Sequence, residues 1–533
     1  MWYDDEGTLM IAFRDLVNGR RLYDDIFSLY GPFYFISIGS LFTVIRLPIS
    51  HDVVRFISAV FWLLLSIIMA GLVYRLTRSL IACGFAYLTA LLLLKMLTHS
   101  PTHPQEMCLL LVGLLPYLLW RIAQRPTPAS LAIIGAIVSA LLLTKFNLGI
   151  FVAIALALAA IRATLHQPWR DWAFAATTVA GLLLPVALML PLFRLPWVFA
   201  YCGFATATVG SAILVWSRIA VPEILTLRHW SICLGAAAVT AIVTLGIVLV
   251  GGTSPHAIFY AVILQNVHLI QNWYIPTQIG DVAGAAAAAS LIMALAYVHL
   301  SSQPARYKLA QRMVLRLKLW LAFAAIAFVI LAALYAVPWQ IVPPIMFSLM
   351  MPFCWLLIVP PLNQPGHNLV LIRGGIGLLA AFMVLYPFPV AGTQLMIAVL
   401  IICVMLPVLL HDAIVGLELL PGFQQPDMTR WRRGGSAIVV ILLGAMLGRQ
   451  SKEALDDYFT GVPLSLPGAS LIHVSPDVAD SYHWVVHELS HCEMFYTMPG
   501  LFSFYFWTGK PTPTGLNNND ALGLLTWLQQ GNR

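Results

Sequence analysis

The residues best suited to chemistry lie near the start of the chain. Asp4-Asp5-Glu6-Gly7 is followed by Asp15, by Tyr23-Asp24-Asp25 and by Tyr30-Gly31-Pro32. Carboxylates this dense, in a chain with only 10% charged residues, can serve as general bases or hold a divalent cation. The other reading is a solvated acidic loop. A second acid, Glu106, closes His103-Pro104-Gln105-Glu106. It reads either as a partner acid or as a first-turn residue that complements a helix dipole. His103 is carried as a candidate substrate contact, with a plain polar loop residue as the alternative, and His99 reads as loop. Thr144-Lys145-Phe146-Asn147-Leu148-Gly149 sets a lone lysine in a sharp turn between apolar stretches. Such a charge must snorkel or find an anion such as a lipid phosphate. Lys95 and Arg194 are weaker candidates for that role.

A fourth pattern, His487-Glu488-Leu489-Ser490-His491, matches the HExxH signature of zinc peptidases. Two histidines at i and i+4 share a helix face. No histidine follows His491 as a third ligand, and later acids are limited to Glu493 and Asp520. His483 and His491 are eight residues apart, about 12 Å along a helix, too far for one zinc. The competing reading is an ordinary amphipathic surface helix.

The elements that must position these groups are membrane helices. Of the 533 residues, 60% are apolar, and mean hydropathy is +0.87. A soluble fold needs more charge to cover its surface. The composition therefore excludes a soluble enzyme, a disordered chain and a nucleic-acid binder. Seven scattered cysteines form no CxxC pair and no disulfide framework. With about 20 apolar residues per crossing, the chain reads as an all-α polytopic membrane protein with about fourteen transmembrane helices. They run near 53–74, 79–97, 105–121, 128–146, 148–163, 172–193, 196–217, 230–250, 281–299, 319–336, 339–360, 370–387, 390–411 and 435–449. The broken apolar segment 31–48 reads as a helix lying in the outer leaflet.

Orientation follows from Lys and Arg. With residues 1–52 outside, the inner loops hold seventeen basic residues, among them Lys318 and Arg373, against Lys95, Lys145 and Arg194 in the outer turns. Of 22 acids, only Asp171, Glu223, Asp412, Glu418 and Asp427 fall inside, and none falls mid-span. That pattern argues against a proton-coupled transporter. The basic loop 300–318 suits anionic headgroups. No apolar span leads the acidic segment across, so an outside N-terminus implies a helix upstream of Met1.

Three units follow: an extracytoplasmic acidic loop with a juxtamembrane helix (1–52), a polytopic domain (53–449) and a small α/β extracytoplasmic tail (450–533). Within the tail, Ser470–Val474 alternates as a strand and Ser475-Pro476-Asp477 starts a helix running to about Cys492. Met494–Thr497 reads as extended. The outer segment 251–280 carries Gln265, Asn266, His268, Gln271, Asn272, Trp273 and Tyr274, which can line a sugar or lipid groove.

Asp5-Glu6-Gly7, Gly19-Arg20-Arg21-Leu22-Tyr23-Asp24-Asp25 and Tyr30-Gly31-Pro32-Phe33-Tyr34 resemble the first outer loop of GT-C membrane glycosyltransferases. The likeness is to the bacterial branch related to protein mannosyltransferases and the lipid A aminoarabinose transferase. The stretch from Cys492 through Pro513-Thr514 is similar to the tail of some of these enzymes. The resemblance covers roughly residues 1–150 and the tail. It implies a sugar taken from a polyprenyl-phosphate carrier, with Asp5 at the catalytic centre and Glu6 beside it. Glu106 matches a second acidic position. Lys145 matches the basic residues that hold the carrier phosphate, helped by Arg20 or Arg21, while Asn147, Tyr30 and His103 complete the expected substrate contacts. In the family a transmembrane helix precedes this loop.

The expected protein is thus a multi-pass glycosyltransferase of the cell (inner or plasma) membrane. Its partners are a polyprenyl-phosphate sugar donor, a lipid, glycan or protein hydroxyl acceptor and the surrounding membrane lipids, with no nucleic acid. No cofactor is specified; a divalent cation is compatible with the acids. A transporter or flippase of lipid-linked sugars has the same composition but tolerates Asp5→Asn. A membrane-tethered zinc peptidase using His487, Glu488 and His491 does not tolerate Glu488→Gln.

Overall fold

A backbone in hydrocarbon must satisfy its own polar groups, so apolar runs fold as helices. The computed structural model describes residues 4–272, 274–277, 279–335, 339–361, 367–418, 428–497 and 500–512. It is about 76% helical. Chain order is α1 (Asp5–Val17), α2 (Pro32–Thr43), α3 (His51–Thr77), α4 (Leu80–Leu94), α5 (Pro104–Gln124), α6 (Pro128–Leu142) and α7 (Phe146–Arg162). Next come α8 (Arg170–Met189), α9 (Pro196–Trp216), α10 (Leu227–Val250), α11 (Pro255–Phe259), α12 (Gln265–Asn272), α13 (Asp281–Ser301) and α14 (Tyr307–Leu334). The last third holds α15 (Val342–Met350), α16 (His367–Met383), α17 (Thr393–Val399), α18 (Ile402–Glu418), α19 (Met428–Thr460), α20 (Pro476–Ser490) and α21 (Ser503–Thr508).

Among the described residues nine helices are long and apolar enough to cross a bilayer, and five apolar helices are shorter. The chain is a multi-pass membrane protein. Proline opens α2, α5, α6, α9, α11 and α20, where its missing N–H leaves no helical bond unmade. Ser50, Ser79 and Thr127 cap α3, α4 and α6 by accepting backbone N–H groups, each at 3.3 Å.

Two expectations change. The boundary at 449/450 falls inside α19, which continues to Thr460; Lys452, Glu453, Ala454 and Leu455 favour helix, and Arg449 pairs with Glu453 at 3.0 Å. Lys318, Arg373 and Asp412, expected in inner loops, are instead buried together on α14, α16 and α18. Lys318 Nζ donates to Asp412 Oδ2 and to Val359 O, both at 2.8 Å. Arg373 donates through Nη2 to Asp412 Oδ2 and through Nε to Leu357 O at 3.0 Å. Because α14 starts at Tyr307 and α18 runs to Glu418, past the apolar runs, Lys318 and Asp412 lie within helices and face one another inside the bundle. An acid therefore does lie within a spanning helix. Residues 419–427 and 513–533, expected in an inner loop and in the tail, lie outside the described residues.

The tail folds against the first helix. Val462–Pro463 pairs antiparallel with His473–Val474, a shorter strand than 470–474. Helix α20 begins at Pro476 as its cap sequence foretells, and Met494–Thr497 forms no strand. Ser470 N and Leu471 N each donate to Asp52 at 3.0 Å, which holds the tail at the N-terminal end of α3. Gly7 meets Ser503 N so closely that a Cβ there would overlap it.

Candidate functional site

Three consecutive acids open α1, and helical geometry turns each about 100° from the last. They meet three different partners. Asp4 caps the helix: Oδ1 accepts from Gly7 N at 2.8 Å, and Oδ2 accepts from Ser503 N at 2.6 Å. Glu6 is buried against α3, where Arg55 donates to it through Nε at 3.0 Å and Nη2 at 2.8 Å. Burial pushes the Glu6 carboxyl up to about 7, and Arg55 only partly opposes it. Asp5, between them, turns to the loop before α5 and accepts from Ser100 Oγ at 3.2 Å.

Tyr30-Gly31-Pro32 brings a second group to Asp5. Gly31 N donates to Thr144 O at 2.9 Å, and Phe33 N to Leu143 O at 3.1 Å. A Cβ on Gly31 would overlap the Leu143 carbonyl, so only glycine permits this contact. Pro32 then starts α2. The motif thus docks the first loop on the turn that carries Lys145. The Tyr30 backbone is fixed as well: its N–H donates to Ser28 Oγ at 3.0 Å and its carbonyl accepts from Tyr23 Oη at 2.7 Å.

The Tyr30 hydroxyl lies 2.6 Å from His103 Nε2, and His103 Nδ1 accepts from Gln105 N at 3.2 Å as the cap of α5. Burial and the nearby Lys145 charge hold the His103 ring well below its usual range, so it is neutral. Burial and the Asp5 carboxylate hold the Tyr30 phenol well above its usual range, so it keeps its proton. Lys145 is half-buried, with Nζ 4.7 Å from the centre of the Tyr386 ring. The Asp5 carboxylate acts electrostatically on Lys145 as on Tyr30. Gln105 lies beside Tyr386 and accepts from Thr393 Oγ1 at 3.2 Å. Thr144 Oγ1 is buried with no hydrogen-bond partner among the described residues, and Gln105 Nε2 and Tyr386 Oη have only each other. Such an orphaned group is costly unless something else meets it.

The fold therefore brings Asp5, Tyr30, His103 and Lys145 into one polar cluster inside an apolar protein. Other expected residues lie elsewhere. Glu106 faces α3, where Oε2 accepts from Ser58 Oγ at 2.7 Å and Oε1 from Trp62 Nε1 at 2.9 Å. Arg20 and Arg21 are exposed and paired locally, Arg20 with Asp15 of α1 at 3.3 Å and Arg21 with Asp25 at 2.8 Å. Asn147 Oδ1 accepts from Leu148 N at 2.9 Å, a local bond at the start of α7. Gln105, Tyr386, Ser100 and Thr393 were not singled out in the sequence. Gln105 and Ser100 flank His103 and carried a signal by position. Tyr386, in the turn after α16, and Thr393, at the start of α17, fall within stretches read only as apolar spans and carried none.

The segment 251–275 joins both walls of the cluster. Asp24 accepts from Ser254 N at 2.7 Å, and Asn266 Nδ2 donates to Leu29 O at 3.3 Å. Ile275 N donates to Pro389 O at 3.1 Å, just past Tyr386. Trp273 and the side chains of His99, His268, Gln271 and Asn272 lie outside the described residues.

No three His, Cys, Asp or Glu side chains converge as metal ligands among the described residues. His487 on α20 and His491 just past its end are exposed, with ring centres 4.7 Å apart, and His483 Nε2 is held to the Leu464 carbonyl at 2.6 Å. Asp520 lies outside the described residues. The arrangement around Asp5 offers a carboxylate able to take a proton, a cation able to meet an anion, and neutral donors between them. Compared with protein-family models, with curated proteins and with solved structures, the chain matches none.

Proposed function

We propose that the protein is a GT-C-like glycosyltransferase that moves a sugar from a polyprenyl-phosphate donor to a lipid, glycan or protein hydroxyl on the outer face of the membrane. The observation that carries the reading is the convergence of Asp5 and Lys145, with Tyr30 and His103, in one polar cluster. Transfer from a phosphate-linked donor needs a base for the attacking hydroxyl and a charge for the departing phosphate. Asp5 takes the acceptor proton as the hydroxyl oxygen attacks the anomeric carbon. The bond from that carbon to the phosphate oxygen breaks with inversion, and the leaving polyprenyl phosphate gains the electron pair beside Lys145. With Lys318 and Arg373 set aside as buried in the bundle, fifteen basic residues of the sequence remain in the inner loops against three in the outer turns, and that bias supports placing this end outside.

The test is incubation of purified protein in lipid with radiolabelled polyprenyl-phospho-sugars. Wild type moves label to an acceptor, and Asp5→Asn does not. Full transfer by Asp5→Asn overturns the assignment of the base.

A further inference from the structure

We infer that His103 is a positioning residue: it locks the Tyr30 hydroxyl as a one-way hydrogen-bond donor, so that a ligand group meeting Tyr30 must present an acceptor oxygen. For the identity of that ligand the inference rests on the glycosyl-transfer reading; for the geometry it does not.

The tautomer of His103 is set at a helix cap. Gln105 N–H donates to His103 Nδ1 at 3.2 Å, so Nδ1 is an acceptor and carries no proton. A neutral imidazole then carries its hydrogen on Nε2. That N–H meets Tyr30 Oη at 2.6 Å, and the phenol oxygen accepts. The Tyr30 proton is thereby turned away from the ring, to be donated elsewhere in the cluster. The groups around it sharpen the consequence. Lys145 is a donor only, and with Gln105 Oε1 occupied by Thr393, the Gln105 Nε2 hydrogens are left to face Tyr386 and the cluster. Among the described residues Asp5 is the carboxylate acting on Tyr30. A wall of donors facing one acid suits a ligand with an acceptor-only oxyanion on one side and a hydroxyl on the other.

The ring is held by more than this pair. Tyr30 packs edge-on against it with centres 5.1 Å apart, and the Tyr30 backbone is fixed by Ser28, Tyr23 and Thr144. The ring is therefore held in place, and the Nε2–H at its oxygen turns the hydroxyl hydrogen away from the histidine.

Two readouts test this on the full chain in lipid nanodiscs. The first is nitrogen NMR of histidine-labelled protein, the His103 signal being assigned by its loss in His103→Leu. The expected ring carries its hydrogen on Nε2 and does not titrate from pH 5 to 8. A ring protonated on Nδ1, or one that titrates in that window, overturns the inference. The second is binding of polyprenyl monophosphate to a double-mutant cycle. His103→Leu and Tyr30→Phe each raise Kd about tenfold, and the double variant binds no worse than either alone. His103→Gln, which keeps an N–H donor, stays within about threefold of wild type. Additive losses, or no loss in His103→Leu, contradict the positioning role. If wild type binds no polyprenyl phosphate, the transfer reading fails, and the NMR result still decides His103.

Discussion

Gly31 N donates to Thr144 O at 2.9 Å, and that bond joins the two segments that carry Tyr30 and Lys145. The first loop and the α6–α7 turn are more than a hundred residues apart in sequence. Their backbones touch because position 31 has no side chain.

Gly31→Ala therefore forces the loop off the turn. The expected cost is about 1–3 kcal/mol, the usual range for overpacking a close contact, read as a lower melting temperature. Transfer should fall further than stability, because Tyr30 moves relative to Lys145. An unchanged melting curve with full activity contradicts the docking account.

Glu6 sets a pH dependence. Its carboxyl has an ordinary value of 4.5 and sits at about 7 in the fold because burial disfavours its charge. Between those values the folded protein holds a proton that the unfolded chain has released. Stability therefore falls as pH rises from about 5 to about 7, by up to about 3 kcal/mol. Melting temperatures measured across that range should decline, and Glu6→Gln should flatten the decline.

Glu106 and Asp4 are bound up in structure, and their substitution should act on folding. Glu106→Leu leaves Ser58 and Trp62 without their acceptor, at about 1–3 kcal/mol. Asp4→Ala removes the cap of α1 and the tie to Ser503, at about 1–2 kcal/mol. Denaturation in detergent reads both. An Asp4→Ala protein as stable as wild type removes the tie from the account.

The buried triad gives the largest expected effect. Asp412→Ala strands Lys318 and Arg373 without a counter-charge inside the bundle, at about 3–5 kcal/mol. Expression in the membrane should collapse, whereas Arg21→Ala, which breaks an exposed pair, should change stability by less than about 1 kcal/mol.

Much of the architecture was legible because it rests on local signals. Apolar runs announced most helices, and Ser475-Pro476 announced α20. The acids of the first loop drew attention to Asp5, and the lone lysine drew attention to Lys145. The partners were harder to read. Nothing in Asp4-Asp5-Glu6 says which acid caps, which pairs and which faces the cluster; the turn of the helix and the position of the tail decide it. Arg20 and Arg21 looked available only because Asp15 and Asp25 were counted as part of the same acidic signal. Tyr386 contributes through a contact across more than two hundred residues, which no local pattern encodes. Lys318 and Arg373 looked like loop charges because charge at the edge of an apolar run is the ordinary mark of a span's end.

The account is tested most directly by following donor and acceptor together. Purified protein in nanodiscs is given a polyprenyl-phospho-sugar panel with membrane acceptors, and both products are quantified by mass spectrometry. Wild type should yield free polyprenyl phosphate and glycosylated acceptor in equal amounts, while Asp5→Asn should lose at least about 100-fold in rate. Intact donor after prolonged incubation with every sugar tested, or equal product from Asp5→Asn, would contradict it.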